Sequence, residues 1–246
     1  MSGQPRPDLV LGYHASHEQL PPSELLACVV AAEAAGFQAA MCSDHFAPWS
    51  SRQGHSGFAW SWLGAALQAT GLGFGVVNAP GQRYHPAIVA QAAATLSEMF
   101  PGRFWLALGS GEASNEHITG DRWPAKAERR ARLGEAVAVI RALLAGETVS
   151  HDGLVRVDQA RLWTLPEQFE VAARFVTPED VRSAVLVSAD LGRHAAWLGE
   201  YAELGFERLY LHEVGQAAHQ RPFIDAFGSK VIPALTSRGA VGPAGE

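Results

Sequence analysis

The chain is poor in cysteine, with two in 246 residues, Cys28 and Cys42. Both sit among apolar neighbours, one in an expected helix and one in an expected strand. They read as buried free thiols rather than a disulfide framework, and a reducing, cytoplasmic setting follows. Basic blocks are missing too, and a formal net charge of −6 leaves no electrostatic footprint for nucleic acid. Nor is there a long apolar run. Glu24, Glu33 and Gln38 interrupt the best candidate, so nothing approaches the ~20 residues of a membrane-spanning helix. The opening MSGQPRPDLV lacks the charged-then-apolar layout of a signal peptide. The expectation is one soluble domain over residues 1–246, burying roughly 70–75 % of its unfolded surface. Its partner would be a small molecule, not a nucleic acid or a membrane.

What the sequence does have is regular punctuation. Apolar stretches at 8–13, 38–43, 72–77, 104–109 and 206–212 read as buried strands. Helical stretches separate them. ELLACVVAAEAAG follows Ser23 as a plausible N-cap and closes on Gly36. AWSWLGAALQAT, AIVAQAAATLSEMF and AERRARLGEAVAVIRALLAG come next. Strand and helix alternating four times, with near-continuous apolar strands, implies parallel βα units in an open sheet or a (β/α) barrel. TVSH-DG-LVRV suggests a small hairpin turning on Asp152-Gly153. Between Ala160 and Ser188 no core strand is expected, which leaves about five strands where a closed barrel needs eight.

Polar residues gather where these strands end: Tyr13, His14, Ser16 and His17; Asp44 and His45; Asn78; Glu112 and Asn115; His212 and Glu213. In parallel α/β folds such ends share one face, where sites form. LGSGEASNE is not a phosphate loop, having neither GxxxxGK[ST] nor a third glycine. Its glycines, Gly109 and Gly111, instead let the backbone pass close to a flat ligand and turn Glu112 inward.

The stretches SDHFAPW, RYHPAIVAQAAATLSEMFPGRFWLALGSGEASNEHITG and GFERLYLH…QRPFIDAF together resemble the luciferase-like flavin oxidoreductase superfamily. The branch they are most similar to is the coenzyme F420-dependent glucose-6-phosphate dehydrogenase-like proteins, including a bacterial subgroup suspected not to use F420. The likeness covers residues 8–165 and resumes at about 174–236. It implies a (β/α) barrel holding FMN, another flavin or F420 at its C-terminal mouth. His45 would be the base that takes a hydroxyl proton while hydride moves to the cofactor. Asp44 would lie against the cofactor, with Asn78, Gly109, Gly111 and Asn115 around it. Trp49 would stack beside substrate and ring, and Glu112 would be the proton donor. Val76 and Val77 would form a bulge with a non-proline cis peptide pressed on the ring.

The chain also departs from that pattern. LPEQFEVAARFVTPEDV jumps across the region where the family carries its fifth to seventh strands and a Gly-rich turn for the cofactor phosphate. A position that is basic in sugar-phosphate users reads as Ser183, which argues against glucose 6-phosphate as the substrate. The expectation is therefore a truncated TIM-barrel-like α/β fold, with contiguous strands in barrel order 8-1-2-3-4. Its two open edges would be paired by a second copy of the chain or covered by loop 160–190. The function expected is a flavin- or F420-type oxidoreductase. A binding relic of that family without turnover is one alternative. A metal-dependent hydrolase using His14, His17, Asp44, His45 and His212 is another, although YHASH spaces its histidines wrongly for adjacent positions on one strand face.

Overall fold

The computed structural model describes residues 9–165, 171–173, 188–213 and 217–238. In chain order the elements are β1 (Val10–Ala15), α1 (Pro22–Ala34), β2 (Ala39–Ser43), α2 (Ala59–Ala69), β3 (Gly73–Asn78), α3 (Pro86–Met99), β4 (Phe104–Leu108), α4 (Ala113–Glu116) and α5 (Lys126–Leu144). Then follow β5 (Val149–Asp152), β6 (Arg156–Ala160), β7 (Val171–Ala173), α6 (Leu191–Glu203), β8 (Arg208–Leu211), α7 (Ala217–Ala226) and α8 (Ile232–Arg238). Six strands make one parallel sheet in the order β7-β4-β3-β2-β1-β8, which contains the expected 8-1-2-3-4 run. Among the described residues no helix is long and apolar enough to cross a membrane.

The two faces of the sheet are built differently. Tyr13, Ala40, Cys42, Phe74, Val76, Leu106 and Leu108 are buried on the side that the helices cover, Trp62 of α2 meeting Phe74 edge-on at 5.9 Å. The opposite, concave face carries small residues at its centre. A Cβ on Gly75 would lie 2.0 Å from the Trp105 ring, and one on Gly12 would lie 2.1 Å from Tyr210. Glycine at these two positions is what lets the rings fold inward across the sheet. Trp105 of β4 and Tyr210 of β8 then meet with centroids 5.6 Å apart, although three strands separate them. The sheet is thus curled like an arc of barrel wall, with two aromatic rings filling its hollow.

Several expectations need correction. β7 pairs with β4 through Leu106–Val171, Ala107–Ala172 and Leu108–Ala173, within the stretch where no core strand was expected. Three residues are too few to leave a periodic signal, yet they stand where a fifth barrel strand would begin, so β4 is not an edge. The rest of that crossing, including Ser183, lies outside the described residues. Helix α1 starts at Pro22 with Pro21 as its cap, not at Ser23; proline suits a first-turn position because its missing N–H would be unpaired there anyway. The hairpin turns through Gly153, Leu154 and Val155, because Asp152 still pairs with Arg156. Cys42 is buried as expected, but Cys28 is only partly so. No cis peptide bond occurs among the described residues. Val76 and Val77 pair in regular register with Cys42 and Ser43 on one side and Leu106 and Ala107 on the other.

Candidate active site

A cavity of about 510 Å³ opens at the C-terminal ends of the strands, lined by Asp44 and His45 after β2, Val77 and Asn78 of β3, and the Gly109–Glu116 stretch after β4. Pleat alternation decides who reaches it. Val77 is exposed to the cavity, whereas Val76, one residue earlier, is fully buried on the helix side and cannot touch a ligand there.

The tail of β1 supplies a residue that sequence reasoning passed over. Glu18, fully buried, accepts a hydrogen bond from Ser16 Oγ at 2.5 Å and bonds from Ser43 Oγ at 2.7 and 2.9 Å. Its Oε1 also lies 2.6 Å from His45 Nδ1. Burial alone would raise the Glu18 carboxyl. The hydrogen bonds from His45 and Ser16, the attraction of the imidazole and the bond from Ser43 outweigh it, holding the carboxyl well below the usual carboxylate range. An ionised carboxylate only accepts, so Nδ1 of His45 carries the proton and Nε2 is left as the basic nitrogen. The His45 ring, one-fifth exposed, packs beside Trp49 with centroids 5.1 Å apart.

A second cluster lies behind Asp44. Arg83, from the RYHP stretch, sits between two buried carboxylates, 3.6 Å from Asp44 Oδ1 and 3.5 Å from Glu116 Oε1. Its guanidinium also donates to the Asp44 carbonyl at 2.6 Å, and its backbone N–H donates to Glu116 Oε2 at 2.7 Å. Tyr84 donates to Asp44 Oδ1 at 3.1 Å. Two acids sharing one cation leave an excess of negative charge, and burial raises the pKa of Glu116 against the pull of Arg83.

Glu112 is where the structure departs most from expectation. It is exposed at the rim of the cavity, where its Oε2 accepts the Trp49 indole N–H at 3.1 Å. Gly111, with φ of +77°, turns the chain so that Glu112 points outward and Glu116, four residues on, points inward. The inward carboxyl with a raised pKa is therefore Glu116.

Two buried amides have fixed polarity. Asn78 Nδ2 donates to Asp44 Oδ2 at 2.7 Å, which leaves its Oδ1 buried and without a partner among the described residues. Asn115 Oδ1 accepts from the N–H groups of Phe46 and Ala47 at 2.9 and 3.1 Å, which leaves its Nδ2 buried and without a partner among the described residues. Both residues line the same cavity, with these two atoms themselves buried. Buried polar atoms of this kind are costly unless a ligand or water satisfies them. One acceptor and one donor are the kinds of partner that the edge of a flavin or deazaflavin ring, an N–H flanked by carbonyls, would call for. A Cβ on Gly109 would meet nothing closer than 4.0 Å, so the space beside the amides is open.

The histidines near β1 do not converge on a metal. His17 is edge-on to Trp62 at 4.9 Å, and His14 packs on His212 at 4.1 Å. Among the described residues no group of three or more His, Cys, Asp or Glu side chains could hold a metal ion.

A family model for luciferase-like monooxygenases matches residues 9–169. The F420-dependent glucose-6-phosphate dehydrogenase of Beutenbergia cavernae is 51 % identical over 148 residues, covering 59 % of this chain and 44 % of that protein. The enzyme of the same description from Mycobacterium avium is 45 % identical over 166 residues, covering 65 % of this chain and 49 % of that one. The chain therefore spans about half the length of these curated relatives. A solved F420-dependent secondary alcohol dehydrogenase, in complex with an F420–acetone adduct, superposes with a TM-score of 0.66 at 32 % identity. The match covers 93 % of this chain and 67 % of that one.

Proposed function

The chain belongs to the luciferase-like monooxygenase family, and on that footing we propose an oxidoreductase of the F420 or flavin type. It would move a hydride between a small organic substrate and a ring cofactor at the C-terminal end of the sheet. When bound, the cofactor supplies the redox chemistry. The observation that carries the proposal is the Glu18–His45 pair at 2.6 Å, opening into a cavity whose free amide atoms suit a ring edge.

In this reading His45 Nε2 accepts the proton of a substrate hydroxyl as hydride leaves the carbon. Glu18 fixes the tautomer and stabilises the imidazolium that forms, while Ser16 and Ser43 keep Glu18 in place. Asn78 and Asn115 orient the ring, Asp44 aims Asn78, and Trp49 closes the rim beside His45. Glu112, exposed at that rim and holding the Trp49 indole, would stand on the ring side. The F420-dependent relatives favour F420 over FMN as the cofactor. A reducing cytoplasm suits the two free cysteines. A homodimer would cover the edges that β7 and β8 form among the described residues. A relic without turnover is not favoured, because a buried carboxylate is expensive to keep and here it still holds its histidine.

The test is turnover of secondary alcohols with F420 or FMN as acceptor, followed by bleaching of the cofactor. His45→Ala should lower turnover by about 10²–10⁴-fold, the range for a lost general base, while cofactor affinity changes little. Equal rates in wild type and variant would overturn the proposal.

A further inference from the structure

The helix α5 lends one wall of the cavity a character that the reading above does not use. Lys126, Arg129 and Arg130, three cations within five residues, line it, in a chain whose net charge is −6. Among the described residues none of the three is recorded in an ion pair. The carboxylate of the same turns, Glu128, is taken by Arg122 at 2.8 Å and approached by Arg132 at 3.7 Å. Arg129 is held in place: its guanidinium lies over the Trp123 ring at 4.5 Å and donates to the Pro124 carbonyl at 2.7 Å. Its Nε is nevertheless buried with no hydrogen-bond partner among the described residues. Lys126 and Arg130 stand exposed on either side.

Three like charges gathered on the wall of a cavity repel one another, and an anion arriving among them relieves that repulsion. Arginine forks also present paired donors that match phosphate and carboxylate geometry. We propose that Lys126, Arg129 and Arg130 form an oxyanion subsite that takes the phosphate or carboxylate group of the cavity's ligand. Only the identity of that ligand rests on the oxidoreductase reading. The anion could be the tail of the cofactor or part of an acidic substrate, and the test separates these sources.

The experiment uses the full chain and the double variant Lys126→Ala/Arg130→Ala, whose substituted side chains are exposed and whose fold is checked by thermal denaturation. FMN and riboflavin, which differ by one phosphate, are titrated by fluorescence, and inorganic phosphate is titrated by phosphorus NMR. If the subsite holds the cofactor tail, wild type binds FMN about tenfold or more tighter than riboflavin. The double variant loses that preference with riboflavin unchanged. If the subsite serves a substrate anion, FMN and riboflavin bind alike, and phosphate binds the flavin-loaded wild type but not the variant. Phosphate binding that is lost in the variant, with neither flavin binding, would exclude a flavin tail as the anion and leave the subsite standing. Indifference of phosphate and FMN alike to the double substitution would overturn the subsite.

Discussion

His17 sits where an imidazole can least afford a charge. It is fully buried, edge-on to Trp62, and neither ring nitrogen meets a hydrogen-bond partner among the described residues. Burial pushes its pKa down to about 4, against the opposing pull of Glu18. His14 falls to about 3 through burial and the repulsion of His212, and His212 itself is lowered by burial. A folded pKa below the unfolded one means that the unfolded chain binds protons first. The contribution is fully present above the unfolded value of 6.5 and is lost progressively as pH falls from there to the folded values. Between about pH 7 and about pH 5 the linkage relation gives a loss of about 2 kcal/mol for each such histidine, or ~4 kcal/mol for His14 and His17 together. Glu18 does not confuse this window. Its carboxyl is lowered, so its contribution is present above the usual carboxylate value of 4.5 and lost only below it. His17→Leu sacrifices no hydrogen bond and should stay within about 1 kcal/mol of wild type at neutral pH. It should also remove about 2 kcal/mol of the acid-dependent loss. Urea unfolding followed by tryptophan fluorescence at the two pH values measures both quantities. An acid-dependent loss in His17→Leu as large as that of wild type would refute the reasoning.

Arg83→Met would leave Asp44 and Glu116 buried without their shared cation, at a cost of about 3–5 kcal/mol; an unchanged thermal midpoint would contradict that role. Gly75→Val should destabilise by about 1–3 kcal/mol or more, because its Cβ would fall within the Trp105 ring. Combining it with Trp105→Leu should recover part of the loss, and a double variant no better than the single one would show that the ring is not the obstacle. Sedimentation at micromolar concentration should find a dimer covering the open sheet edges, and a clean monomer would remove that proposal.

How much could be read in advance depended on the kind of signal each residue leaves. β1 to β4 and β8 are apolar runs flanked by turn residues, so their positions were legible to within two residues. β7 is three residues long and owes its place to pairing with β4 rather than to any pattern of its own. His45, Asp44, Asn78 and Asn115 could be named because they follow strands, and all four do line the cavity. Glu18 follows a strand as well, but HASHEQL gives no hint that its chain turns inward and buries a carboxylate. The choice between Glu112 and Glu116 was equally hidden: both occur in GSGEASNE, and the backbone turn at Gly111 decides which faces in. Arg83 could not be foreseen, since its importance comes only from lying between two acids distant in sequence.

The most direct measurement is a titration of the purified chain with F420 and, separately, with FMN, followed by quenching of tryptophan fluorescence. Trp49 and Trp123 border the cavity and would report its filling. Saturable quenching by at least one of the two is expected, weakened about tenfold or more by Asn78→Ala or Asn115→Ala, each of which would remove an amide proposed to hold the ring edge. Failure of both cofactors to quench wild type at any concentration up to solubility would contradict the account at its centre.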